Sequence, residues 1–360
     1  MMGARLIKPL LLLIAIAAPL AAMAQPRASF IETRHNFGAF LEEDGLAECS
    51  FAIINEGTSP LTILSARATC GCTTPTYSRR PIAPGDTAYI SVAYDPSSRP
   101  GRFSKYIDIT TNANPQNYRL EICGVVIGSE ATIGRRYPID MGPLKLARDI
   151  FPLGDATIDR LKTVYLEGYN RSTDSLRICV ENVPPYMDVV VAPKIAAPGE
   201  QVTLIAYVTP SKKGDYGITQ DTIAVIPADG LRFELPTLIN VVEDFSGLDA
   251  AKMANAPIAV PSTERIELGK VHHNRPIKAT LSLTNAGKNP LAVRRVYSTD
   301  RGVSASIAQS NIKKGKSAEI TIDIDPSEFN GGLLNTRLMI ITNDPLHPVY
   351  TIRLVAEWAD

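Results

Sequence analysis

The residues best suited to chemistry lie in one short segment, ATCGCTTPTYSRRPIAPGD, running from Ala68 to Asp86. Cys70 and Cys72 flank Gly71 there, in a chain of 360 residues with five cysteines. Two thiols at this spacing allow three kinds of chemistry. They can close a local disulfide, provided Gly71 permits a tight bend, because alternate residues of an extended strand sit too far apart for bonded sulfurs. They can form a redox couple, since a Cys-x-Cys loop is strained when oxidised and strained disulfides are the reducible ones. They can also offer two thiolates to a soft metal such as Cu(I) or zinc. Zinc needs two further ligands, and His35 is the one histidine nearby, so no metal site is expected. A structural disulfide at Cys70 and Cys72 is the first expectation and a redox couple the second. Pairing with Cys49 or Cys123 stays open, and five cysteines leave at least one thiol over or paired between chains.

Other constellations are weaker. His272 and His273 are adjacent, so on a strand they would face opposite sides and clamp an ion poorly. An exposed turn is the better account, and His347 in DPLHP reads as loop. Glu42 and Glu43 in LEEDG are turn chemistry. There is no Gly-rich phosphate loop after a strand, no Gly-x-Ser-x-Gly elbow and no His-Glu-x-x-His. No nucleophile, base and orienting group come together, so no catalytic residue and no cofactor is expected.

Charge narrows the partners. The chain has 37 Lys plus Arg and 37 Asp plus Glu, a net charge of zero. No field of either sign points to nucleic acid or an anionic membrane. The N-terminus differs from the rest. Arg5 and Lys8 form a basic start, PLLLLIAIAAPLAA is an apolar run broken by Pro19, and Ala22-Met23-Ala24 is a small-x-small cleavage site. Residues 1–24 therefore read as a secretory signal peptide cleaved after Ala24. The first cysteine, Cys49, is far from that site, so no lipid anchor is expected. No later segment is apolar enough to span a membrane. The expected location is periplasmic or extracellular, where disulfides persist.

The elements that would position Cys70 and Cys72 recur along the chain. IINEGTSPLTI, LEGYNRSTDSLRI and SLTNAGKNPLAV each read strand, Asn, turn, strand, and Asn55, Asn170 and Asn285 are spaced by 115 residues. A turn follows each: Pro84-Gly85-Asp86, Pro198-Gly199-Glu200 and Lys314-Gly315-Lys316. Then come YDP, VTP and IDP, ending at Pro96, Pro210 and Pro326, and the turn glycines Gly101, Gly214 and Gly331. Between the second and third landmarks lies an alternating strand. Ala318, Ile320, Ile322 and Ile324 share one face, as do Val202, Leu204, Ala206 and Val208, and Ile90, Val92 and Tyr94. No stretch after residue 24 shows a strong helical period. The expected fold is all-β: three tandem immunoglobulin-like antiparallel β-sandwiches preceded by a signal peptide. They are placed at 28–128, 137–245 and 262–358, with linkers GSEATIGRRYP and FSGLDAAKMANAPIAVPS.

Comparing the copies sorts the cysteines. Cys49 falls where the others have Val164 and Ala279, and alternates with Ala47, Phe51 and Ile53, so it reads as packing. Cys179 falls where the others have Leu64 and Arg294 and reads as structural. Cys123 alternates with Arg119 and Glu121 and is expected to face outward, away from Cys49. Cys70 and Cys72 are matched to Pro185 and Met187 in the second copy and to Asp300 and Gly302 in the third. The fold does not require sulfur there.

The first copy also resembles a known family. CGCTTPTYSRRPIAPGDTAYISVAYDPSSRPGRFSKYIDITTNAN is similar to the domain of unknown function 1573 family, with Cys70, Gly71, Cys72, Pro84, Gly85, Asp95, Pro96, Gly101 and Phe103 in its pattern. The resemblance covers about residues 30–127, and again 262–357 without the cysteines. The middle copy departs furthest, with Thr209 where Asp95 stands. The resemblance implies an immunoglobulin-like fold and export, and it brings no agreed activity. The expected function is a non-enzymatic binding or structural protein of the cell envelope, with protein or envelope components as partners. The alternative is a thiol-redox or soft-metal-handling protein working through Cys70 and Cys72. Asp86-Thr87-Ala88, Asp174-Ser175-Leu176 and Asp221-Thr222-Ile223 also resemble an O-glycosylation sequon found in exported proteins of some Gram-negative bacteria. That makes Thr87, Ser175 and Thr222 candidate modification sites.

Overall fold

A computed structural model describes residues 25–329 and 333–359. The expected signal peptide, residues 1–24, and the turn glycine Gly331 lie outside the described residues. The described strands assemble into six sheets, which enclose three separate hydrophobic cores. In the first copy the strands are β1 (Ala28–Phe30), β2 (Arg34–Leu41), β3 (Ala47–Asn55), β4 (Ile63–Ala68), β5 (Thr73–Tyr77), β6 (Thr87–Tyr94), β7 (Gly101–Thr111) and β8 (Asn117–Ile127). One sheet has the order β1-β3-β6-β5 and the other β2-β8-β7-β4. That division of strands between two sheets is the immunoglobulin-like arrangement.

Alternation builds the core. Phe51 and Ile53 of β3 lie opposite Ile90 and Ala88 of β6, while Ser50 and Ser91 pair on the outer face, their hydroxyls 3.0 Å apart. Phe51, Ile53, Ile90, Ile107, Ile109, Leu120 and Ile122 are wholly buried. Each such side chain contributes about 1.5–3 kcal/mol relative to exposure. The runs Val202 to Val208 and Ala318 to Ile324 bury the faces that their alternation marks, and pair within their sheets with Lys162–Asn170 and Ile277–Asn285 respectively.

The Asn landmarks are buried clasps. Asn55 donates from Nδ2 to the carbonyls of Ser59 (2.8 Å) and Ile82 (2.9 Å), and its Oδ1 accepts from the Gly57 N–H (3.0 Å). Asn285 repeats this with Asn289, Ile312 and Gly287 at 2.8, 2.9 and 2.9 Å. Asn170 repeats it with Asp174, Ala196 and Ser172 at 2.8, 3.0 and 2.9 Å. The Asn carbonyls also accept from Gly85, Gly199 and Gly315, glycines whose left-handed φ of 85°, 67° and 66° disfavours a side chain. So the first two landmarks of every copy are joined in space.

Two features differ from the sequence-based expectation. The sheets are not wholly antiparallel: Phe151–Thr157 runs parallel to Leu231–Val242, and Arg265–Val271 parallel to Val349–Trp358. Both linkers also hold a short helix, Glu130–Ile133 and Ala250–Ala254. The described chain divides into two compact units, one ending at Val126 and one beginning at Ile127. Within the second unit the middle and third copies meet closely. Tyr297 Oη accepts from the Ile218 N–H at 2.9 Å, and Arg295 donates to the Tyr216 carbonyl at 2.9 Å. Gly217 has φ +82°, and a Cβ there would come within 2.5 Å of Ile341 and 2.7 Å of Tyr297 Oη, so glycine is required on both counts. No helix of the described residues is long and apolar enough to cross a membrane.

Candidate functional site

Cys70 and Cys72 sit in the turn between β4 and β5, where the chain crosses from one sheet to the other. The Thr73 N–H reaches the Cys70 carbonyl (3.4 Å), and the Asp95 N–H donates to the Cys72 carbonyl (2.9 Å). The two sulfurs come into bonding contact, with Cα atoms 5.4 Å apart, within the span a disulfide takes. The Thr73 hydroxyl lies 3.4 Å from Cys70 Sγ and 3.9 Å from Cys72 Sγ. Cys72 is buried and Cys70 half-buried, both against the core of the first copy. Gly71 is not a left-handed glycine, and a Cβ there would meet no atom within 4 Å. The bend therefore does not depend on glycine's conformational freedom, contrary to expectation.

The same backbone turn recurs in the other copies. In the third, the Val303 N–H donates to the Asp300 carbonyl (3.2 Å) and the Asp325 N–H to the Gly302 carbonyl (2.8 Å). In the second, Met187 N–H donates to Pro184 (3.0 Å) and Thr209 N–H to Tyr186 (2.7 Å). The counterparts of Cys70 and Cys72 in the middle copy are thus Pro184 and Tyr186, not Pro185 and Met187. That copy is one residue shorter between its Asn clasp and this turn, so a fixed offset from the Asn overshoots by one.

Each copy closes this corner differently. The first uses the two sulfurs. The second buries Tyr186, whose hydroxyl donates to Asp221 at 2.7 Å, while Lys213 pairs with the same carboxylate at 2.7 Å and lies over the Tyr186 ring. Burial pushes Asp221 up, but the bonds from Lys213 and Tyr186 outweigh it and hold the carboxyl below its usual range. Burial and the Asp221 bond raise the Tyr186 phenol. The third copy packs Phe329 against Gly302, where a Cβ would come within 2.5 Å of the ring, and Asp300 accepts from the Thr336 hydroxyl. Sequence reading missed the Tyr186, Lys213 and Asp221 cluster. Its members lie 8 to 35 residues apart with no shared pattern.

The other cysteines stay apart from this pair. Cys49 is half-buried against the first core, and burial together with Glu32 pushes its thiol up to about 11. Cys123 shares the face of Glu121 but is buried, with its thiol 3.7 Å from the His35 carbonyl and the Arg34 guanidinium beside it. The outward expectation gave the right face and the wrong exposure, because Arg34 of β2 lies over that face. Cys179 is exposed, not structural. Leu176, Ile178 and Val180 take the inner positions, which turns Cys179 outward. Among the described residues no group of three or more His, Cys, Asp or Glu is placed to hold a metal ion. His272 and His273 lie exposed in a turn, with His273 stacked on Trp358 at 3.6 Å. Thr87, Ser175 and Thr222 are all exposed.

The Cys-Gly-Cys turn, the Pro-Gly turn bonded to the Asn clasp and the strand between them stand together in the first copy. The family model described as "Protein of unknown function (DUF1573)" matches residues 28–126 and 260–357. The chain belongs to this family. The DUF1573 stretches are the first and third copies, and only the first carries the cysteine pair. No curated protein matches the chain. Among solved structures, a protein of unknown function from Porphyromonas gingivalis W83 is 21% identical, covering 60% of this chain and all of that one, with a TM-score of 0.46. Titin domains I67–I69 are 12% identical over 94% of this chain and all of that one, with a TM-score of 0.27. Protocadherin gamma B3 domains EC1–4 are 8% identical over 93% of this chain and 76% of that one, with a TM-score of 0.30.

Proposed function

We propose that this chain is an exported, non-enzymatic binding or structural protein of the cell envelope, and that Cys70 and Cys72 form a disulfide that staples one corner of its first sandwich. The reading places the chain in the periplasm or outside the cell, with protein or envelope components as its partners. The observation that carries it is the recurrence of the Cys70–Thr73 turn with the same backbone bonds in three copies. Two of them close it with a tyrosine cluster and a phenylalanine contact. A position filled by three unrelated packing devices is one where the fold needs closure. Exposed sheet edges, such as β5, supply backbone groups that can recruit another strand.

The test is the double variant Cys70→Ser plus Cys72→Ser, after non-reducing peptide mapping of the native protein. Mapping should find Cys70 bonded to Cys72. A loop this short limits the chain-entropy gain to roughly 1.5 kcal/mol. The variant should then melt about 5–10 °C lower, as that loss implies for a domain of about 100 residues. Loss of turnover in a thiol–disulfide exchange assay with no change in melting would instead select the redox alternative. Free thiols at both positions in native protein would sink the staple.

A further inference from the structure

The junction between the middle and third sandwiches holds a cleft of about 380 Å³, lined from one side by Ile218, Thr219 and Leu238 and from the other by Arg295, Tyr297 and Ser298. Its residues come from strands Gly217–Ala228 and Leu231–Val242 of the middle copy and from the end of Leu291–Tyr297 in the third. Tyr297, bonded to the Ile218 N–H and pressed on Gly217, fixes the floor. Ile218 and Leu238 are exposed large apolar side chains on the outer face of a sheet.

Charge decides what fits. Arg295 is half-buried, stacked over the Tyr297 ring at 4.3 Å, and held by one bond from Nη1 to the Tyr216 carbonyl. Among the described residues it makes no ion pair, whereas its neighbour Arg294 is paired with Glu243 at 2.9 Å. No carboxylate lines the cleft. A stacked guanidinium with N–H groups to spare is suited to bidentate recognition of a carboxylate. Apolar walls with a few placed polar groups at a domain junction are the usual make-up of a binding site.

We propose that this cleft binds an extended peptide segment in which an acidic residue stands beside an aliphatic one. The carboxylate pairs with Arg295, and the aliphatic side chain lies on Ile218 and Leu238. This deepens the binding reading above and rests on it. It does not involve the cysteine pair, so failure of the staple and failure of the cleft are separate results.

The test uses the full chain, isotope-labelled at isoleucine and leucine methyl groups, titrated with acetyl-Leu-Asp-Leu-amide. Methyl shifts should saturate and centre on Ile218 and Leu238. Acetyl-Leu-Asn-Leu-amide should bind at least ten-fold more weakly. Leu238→Glu, which changes an exposed wall residue outside the junction contacts, should also weaken binding at least ten-fold while leaving the other methyl signals in place. Equal binding of the Asp and Asn peptides overturns the proposal, as do shifts centred elsewhere or none. Acetate alone producing the same shifts at the same concentration would overturn the peptide as the ligand and leave a small carboxylate in its place.

Discussion

Replacing Asn285 by alanine should destabilise the third sandwich far more than its small size suggests. The side chain is wholly buried. It holds two carbonyls, of Asn289 and Ile312, and the Gly287 N–H, all at 2.8–2.9 Å. Truncation leaves the Ile312 carbonyl and the Gly287 N–H buried without the amide, at a cost of about 1–3 kcal/mol each, while the more exposed Asn289 carbonyl turns to water. Near the middle of that range the loss is roughly 4 kcal/mol. With a urea slope of about 2 kcal/mol per molar, the midpoint should fall by roughly 2 M. Trp358 is the single tryptophan and belongs to this sandwich, so its fluorescence reports the transition. Asn285→Asp should cost about as much, because a carboxylate oxygen would replace the amide that now donates to two carbonyls. Asn274→Ala, in an exposed turn of the same sandwich, should leave the midpoint in place. A midpoint shift under about 0.3 M for Asn285→Ala would refute the reasoning and reduce the repeated Asn to a turn preference.

Acid should weaken the middle sandwich through Asp221, whose folded pKa is depressed. Its contribution is complete above the unfolded carboxyl value and is lost as pH falls through the folded one. Tyr186→Phe should therefore cost about 1–2 kcal/mol at pH 7 and flatten this part of the acid titration, read by circular dichroism. In native, non-reduced protein an alkylating reagent should label Cys179 first. Cys49 and Cys123 should react only on unfolding, because one is half-buried with its thiol raised to about 11 and the other is covered; rapid triple labelling in mass spectra would contradict these placements. If Thr87, Ser175 or Thr222 is glycosylated, protein from its native host should exceed the mass of the bare chain from Gln25; a matching mass ends that reading.

Much of the fold was legible because β-structure writes itself in period two. Ala318 to Ile324 could be assigned a buried face from residue type alone, since alternate side chains of a strand must share a side. The Asn spacing marked three copies because one amide can bond a turn carbonyl, a turn N–H and a distant carbonyl at once. Reading stopped where a single residue changed the count. One residue fewer in the middle copy moved the counterpart of Cys72 from Met187 to Tyr186, and only backbone bonds reveal that shift. Cys123 shows a related limit: alternation gives the side a residue faces, while burial depends on what another strand lays over it.

The sequence by itself determined the class of the fold, the number of copies, the buried faces and the segment where the cysteine chemistry lies. These rest on local geometry and on spacing within one copy. Tertiary structure alone decided that the corner at Cys70 and Cys72 is closed in three different ways. It also decided that Arg295 meets Ile218, Thr219 and Leu238 in one cleft. The physical reason is that such contacts depend on how separate sheets and sandwiches dock, and docking joins residues tens of positions apart with no periodic trace in the chain.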